Sequence, residues 1–142
     1  MLLVDVNVWV YAVRSDSVRH DDYREWVQDA LTGAEPVGVS ELALSGVVRL
    51  LTNHRIFDRP SSTAEALEAC RAIRSAPSAI SVRPGARHWS IFEDLCAESG
   101  ARANVVADAY HAALAIEHGA TWVTTDRGFA RFPGLKWRAP FE

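Results

Sequence analysis

Apolar residues follow two alternating rhythms along this chain: short unbroken runs, and stripes at helical spacing. Leu2-Leu3-Val4 reads as a buried strand, and Asn7 to Val13 can begin a helix directly after it. Ser17 to Leu31 predicts a helix ended by Gly33, with Tyr23, Trp26, Val27 and Ala30 on one stripe. Pro36 to Val39 is a second strand. Ser40 to Asn53 has the clearest amphipathic pattern, with Leu44, Val47, Val48 and Leu51 at i, i+3, i+4 and i+7 and Ser40 as N-cap. Thr63 to Ala76 predicts another helix with an N-cap hydroxyl, and Ala79 to Val82 a strand closed by the turn Pro84-Gly85. Trp89 to Glu98 and the Ala-rich Asn104 to His118 are helices stopped by Gly100 and Gly119. Thr121 to Thr124 is a β-branched and aromatic strand, Gly128 to Phe132 a short turn or helix, and Leu135 to Arg138 a last strand.

Short apolar strands alternating with helices imply a mostly parallel sheet covered on both faces, a three-layer α/β fold. Ligands of such sheets sit beyond the carboxyl ends of the strands, so the residues leaving the strands are the first to inspect. There is no internal repeat, and the most loop-like stretch, Arg59 to Thr63, is too short to divide domains. Residues 1–142 are therefore expected to form one domain.

Composition narrows the function classes. The 142 residues are 49% hydrophobic and 23% charged with net charge -3, the balance of a soluble globular protein. No apolar run approaches a membrane span. The apolar start lacks a basic region before it and carries Asp5 within it, unlike a secretory signal. Cys70 and Cys96 make neither a disulfide framework nor a metal-ligand spacing, so the cytoplasm is the expected compartment. Fourteen of the 15 basic residues are Arg, as codon bias alone would give, though the planar fork also suits phosphate. With a pI of about 5.9, any nucleic-acid site must be local.

Four acids stand where an acid is costly. Asp5 follows the first strand and Asp126 follows Trp122-Val123 through Thr124-Thr125. Each would lie at the carboxyl edge of a parallel sheet, where it caps the next helix or does other work; Asn7 is a second capping residue near Asp5. Glu41 opens the amphipathic helix within about 20° of Val48 on the helical wheel, which predicts an inward carboxylate. The helix macrodipole would favour an acid there in any orientation. Asp108 shares a helix face with Val105, Ala112 and Ala115, where a lone acid is expensive unless paired, bound to metal or partly exposed near the helix start. Four carboxylates on one rim would repel, and a hard cation such as Mg²⁺ or Mn²⁺ removes that conflict.

With these positions in place, the chain resembles a PIN-domain ribonuclease, specifically the toxin of a VapBC-type toxin–antitoxin pair. The matching segments are Leu3-Val4-Asp5-Val6-Asn7, Val39-Ser40-Glu41, Val106-Ala107-Asp108-Ala109 and Thr124-Thr125-Asp126-Arg127-Gly128-Phe129. Ala113 to Ala120 also reads like the family's link into its last core strand, so the resemblance spans the whole chain. It implies a PIN-like fold with an acidic quartet at Asp5, Glu41, Asp108 and Asp126 that binds Mg²⁺ or Mn²⁺, chiefly through Asp5 and Asp108. Asn7 stands where the family often has a polar residue near the metal. Thr124 and Thr125 either orient the carboxylates or end a strand. Ala107 departs from the family, which often has Pro there. The activity implied is endonucleolytic cleavage of single-stranded or looped RNA by metal-activated water, leaving a 3′-hydroxyl and a 5′-phosphate. The partners implied are a cognate VapB-type antitoxin and RNA, in a homodimer or a toxin–antitoxin hetero-oligomer.

Other chemistries find less support. The histidines His20, His54, His88, His111 and His118 form no H-E-x-x-H motif and read as surface or packing residues. No G-x-S-x-G, Walker or G-x-G-x-x-G segment is present. A phospho-acceptor domain would want a Lys near its Asp, and Lys136 lies in a late strand. A non-catalytic PIN-like RNA-binding or interaction domain is the main alternative, and an intact acidic quartet counts against it. Trp9, Trp26 and Leu50 are either core or part of an exposed groove for an amphipathic antitoxin segment. Arg14, Arg19, Arg24 and Arg127 are candidate RNA phosphate contacts.

Overall fold

The computed structural model describes residues 1–141. The chain runs β1 (Leu2–Val4), α1 (Val6–Val13), α2 (His20–Thr32), β2 (Val37–Val39), α3 (Glu41–Leu51), α4 (Thr63–Ser75), β3 (Ala79–Ser81), α5 (His88–Ser99), α6 (Asn104–Glu117), β4 (Thr121–Val123), a 3-10 turn (Arg127–Arg131) and β5 (Trp137–Arg138). These are the elements expected from the periodicity, most with ends moved by one or two residues. The larger differences are α2, which starts at His20 rather than Ser17, and β5, which is shorter. Arg19 takes the left-handed conformation at φ 57, and the backbone closes turns from Arg14 to Ser17 and from Ser17 to His20 before the helix begins. A hydroxyl at Ser17 therefore sits in a turn and caps nothing.

The five strands form one parallel sheet in the order β3-β2-β1-β4-β5. Successive strand residues point to opposite faces. Leu2, Val4, Val37, Val39 and Val123 join the core under α1 to α4, while Leu3, Trp122 and Val82 join the core under α5, α6 and the 3-10 turn. This is the three-layer arrangement. Gly38 is required in β2, because a Cβ there would stand 2.6 Å from Leu3 Cδ2 and 2.8 Å from Val82 Cγ2. Ser62 and Glu65 form a reciprocal capping box that starts α4. Because every strand is parallel, Asp5, Ser40 and Thr124 all emerge at one edge.

Candidate active site

Asp5 leaves the central strand and occupies the N-cap position of α1, yet its carboxylate makes no cap bond. The cap is made by the main chain: the Asp5 carbonyl accepts from the N–H groups of Val8 and Trp9. The side chain is buried, and it accepts a 2.6 Å hydrogen bond at Oδ2 from Thr124 Oγ1, which leaves the neighbouring strand β4. Burial raises the Asp5 pKa above the ordinary carboxylate value, and the Thr124 bond opposes that rise.

Thr124 serves two acids. Its fully buried hydroxyl also accepts from the backbone N–H of Asp126 at 3.0 Å. Asp126 in turn caps the 3-10 turn, accepting from Gly128 N–H at 2.7 Å. The capping reading and the site reading of Asp126 are thus compatible, since one oxygen is fixed by the turn. Thr124 orients a carboxylate and ends a strand at once. Thr125 is exposed.

Asp108 lies one turn before the buried Ala112 on α6 and is half-buried. Its pKa is raised to about 6, first by burial, then by the charges of Asp5 and Asp126, with Arg131 opposing. Asp5, Asp108 and Asp126 therefore sit within one another's field. Glu41 does not share it. The inward orientation expected from the helical wheel is corrected here: its side chain is 63% exposed and accepts a 2.7 Å bond from Arg83 Nη2. The wheel fixes the direction of the Cα–Cβ bond, whereas a flexible side chain in the first turn reaches past the end of the core to a cation.

Two early-helix expectations also divide. Trp9 is 2% exposed and belongs to the core, so it lines no groove; Trp26 is half-buried against the same core. A cleft of about 570 Å³ does lie between α1, α2 and the end of α3, lined by Asn7, Tyr11, Tyr23, Leu50 and Ile56 and reaching Thr125. It opens beside the residues that flank Asp5 and Asp126. Of the candidate phosphate contacts, Arg14 is paired with Asp16 and lies over Phe57, and Arg19 is paired with Asp22 and lies over Phe141. Arg24 and Arg127 are exposed. His88 is bonded to the Tyr110 carbonyl and His118 to the Arg83 carbonyl, both structural roles.

Sequence reasoning missed Arg83. It follows β3 by two residues, so it leaves the same sheet edge as the acids. Strand exits were read for carboxylates alone, and the same rule applied to cations would have found it.

The donor set at this edge is all oxygen: carboxylates, a threonine hydroxyl and the Asn7 amide nearby. That chemistry suits Mg²⁺ or Mn²⁺. Among the described residues, no three His, Cys, Asp or Glu side chains are arranged to hold an ion by themselves. Magnesium does not need such a cage, because it keeps several waters and takes one or two carboxylates plus substrate phosphate. Burial is the first cause of the elevated Asp108 pKa, and the charges of Asp5 and Asp126 add a repulsion that a cation would relieve.

The chain is similar to known proteins along its whole length. A PIN domain model matches residues 2–135. The chain is 46% identical over 142 residues to VapC ribonuclease Mb2897 of Mycobacterium bovis, covering all of this chain and 97% of that protein. It is 40% identical over 140 residues to Ribonuclease VapC37 of Mycobacterium tuberculosis, covering 99% and 97%. Among solved structures, the VapBC2 complex of Rickettsia felis bound to a promoter DNA fragment aligns with TM-score 0.68 at 17% identity, covering 97% of each chain. VapC20 of Mycobacterium tuberculosis, a toxin that cleaves the sarcin-ricin loop, aligns with TM-score 0.66 at 19% identity, covering 96% and 99%. The chain belongs to the PIN domain family, among the VapC ribonucleases.

Proposed function

We propose that this protein is a divalent-metal-dependent endoribonuclease, the toxin of a toxin–antitoxin pair acting in the cytoplasm, with residues 1–142 working as one unit. The observation that carries the reading is the group Asp5, Asp108 and Asp126 at the carboxyl edge, in a chain 46% identical along its length to a VapC ribonuclease. Asp5 and Asp108 would hold Mg²⁺ or Mn²⁺, with Asp126 beside them and Glu41 as the fourth acid once Arg83 releases it. When bound, such an ion neutralises charge on phosphoryl oxygens and lowers the pKa of water.

The chain's own residues prepare that chemistry. Thr124 fixes one oxygen of Asp5, and the Asp126 carboxylate is fixed by the Gly128 N–H. Asp108, its pKa raised to about 6 chiefly by burial, is largely ionised at neutral pH, the form in which a carboxylate would bind the cation. The recessed position of Asp5 favours single-stranded or looped RNA, whose backbone can be drawn to the edge. The cleft between the early helices, floored by Leu50 and Tyr23, suits the apolar face of an antitoxin segment that ends beside the acids. Homodimerisation, or assembly with that antitoxin, is part of the same reading.

The test is cleavage of a generic RNA by purified protein with Mg²⁺, with Mn²⁺ and with chelator, alongside Asp5→Asn. Metal-dependent cleavage that the substitution abolishes is the expected result. Metal-independent cleavage, or none in any condition, overturns the reading.

A further inference from the structure

A second cavity, distinct from the antitoxin cleft, opens at the same sheet edge. This crevice of about 380 Å³ lies between the start of α3 and the middle of α6. Val82 and Leu114, both buried, form its apolar base, and the partly exposed Leu42 and Tyr110 add to the lining. It shares the carboxyl edge with the acidic group: Ser40, in its lining, leaves β2 beside β1, the strand that Asp5 follows.

The crevice also holds the Arg83–Glu41 pair. The backbone that carries Arg83 is pinned to the end of α6. Glu117 accepts from the N–H groups of Gly85 and Arg87 at 2.7 and 3.0 Å. Arg87 Nη2 donates to the Glu117 carbonyl, and His118 Nε2 lies 2.9 Å from the Arg83 carbonyl. Against this fixed backbone, the Arg83 guanidinium is 72% exposed and meets a carboxylate that is 63% exposed. An ion pair so open to water is worth little, so exchanging its partner costs little.

We propose that this crevice seats the nucleotide next to the scissile phosphate, with its base on the apolar lining and its phosphate taken by Arg83 in exchange for Glu41. The inference rests on the ribonuclease reading and names the substrate contacts of that site. A guanidinium suits phosphate because its fork donates bidentately. A narrow apolar crevice with an aromatic ring suits an unpaired base. The exchange has a second consequence, since Glu41 is released toward the acids only when RNA is in place. Arg83 is thus a substrate ligand that also governs the fourth carboxylate.

The experiment measures binding of a fluorescent, mixed-sequence single-stranded oligoribonucleotide by anisotropy, in chelator and across a salt series, so that no cleavage intervenes. The proteins are wild type, Arg83→Gln, Glu41→Gln and the double variant. Arg83→Gln is expected to weaken binding roughly three- to tenfold and to flatten the salt dependence by about 0.7 in log–log slope, the loss of one phosphate contact to a single strand. Glu41→Gln is expected to tighten binding, and to do so less in the Arg83→Gln background, because only a released Arg83 can use the vacancy. Unchanged affinity and slope in Arg83→Gln overturn the proposal. An equal gain from Glu41→Gln in both backgrounds overturns the exchange. Wild-type cleavage with Mg²⁺ or Mn²⁺ is run in parallel, so failure of the parent reading is seen separately from failure at Arg83.

Discussion

Asp108 and His111 stand one turn apart on α6, and burial drives their titrations in opposite directions: the carboxyl rises to about 6 and the imidazole falls to about 4. His111 lies on the ring of Trp122 at 5.2 Å between centroids, and neither His111 Nδ1 nor Trp122 Nε1 has a hydrogen-bond partner among the described residues. As pH rises from about 4 to 6, the unfolded chain loses the Asp108 proton before the folded chain does, so this group lowers stability. Over about pH 4 to 6.5 the unfolded chain holds a His111 proton that the folded chain does not, so this group raises stability. The Asp108 effect is on the order of 1–2 kcal/mol after solvent screening, and the His111 effect on the order of 2–3 kcal/mol.

The two slopes partly cancel in the wild type, the larger His111 slope prevailing. Asp108→Asn should expose the His111 slope, giving a chemical-denaturation midpoint that climbs steeply from pH 4 to 6.5. His111→Phe should expose the opposite slope, with the midpoint falling over pH 4 to 6. Parallel curves for all three proteins would refute the assignment of both shifts.

Thr124→Val should damage both stability and activity. It leaves the buried Asp5 carboxylate without its hydroxyl donor and the Asp126 N–H without its acceptor. A loss of about 2–3 kcal/mol is expected in urea denaturation, with cleavage down roughly 10- to 100-fold. Thr124→Ser keeps the hydroxyl and should recover most of the activity.

Metal should stabilise the fold. An ion bound only by the native state raises the thermal midpoint with concentration, and relief of repulsion among Asp5, Asp108 and Asp126 adds to the effect. Scanning calorimetry with Mg²⁺ or Mn²⁺ should show a rising midpoint for wild type and little change for Asp5→Asn. Without metal near neutral pH, Asp108→Asn should melt higher than wild type, because it removes the charge that its surroundings disfavour.

The antitoxin cleft is testable at Ile56, which lines it and is 52% exposed. Ile56→Glu should leave the free energy of unfolding within about 0.5 kcal/mol of wild type, as surface changes do. It should abolish co-purification with the product of an adjacent small open reading frame. Retained co-purification would move the partner to another face. Quenching of Trp fluorescence is a poor reporter, since Trp9 and Trp122 are already shielded in the free protein.

The order of strands and helices was legible in the sequence, because three-residue apolar runs and helical stripes are local patterns written in adjacent residues. The placement of Asp5 and Asp126 at one edge followed from the same patterns, since all exits of a parallel sheet face the same way. Tertiary structure alone decided what each acid touches. The bond from Thr124 to Asp5 joins residues 119 apart in sequence, and it exists because β4 returns to lie beside β1. The turn of Glu41 toward Arg83 depended on a loop that Glu117 holds 30 to 32 residues away. Trp9 and Trp26 carry similar patterns in sequence, but α1 is covered by α2 and α3 while α2 lies outside it. Periodicity gives a side chain's direction about its own helix axis. Which helix, strand or charge waits in that direction is set by contacts between distant segments, and those are not written in any single stretch of the chain.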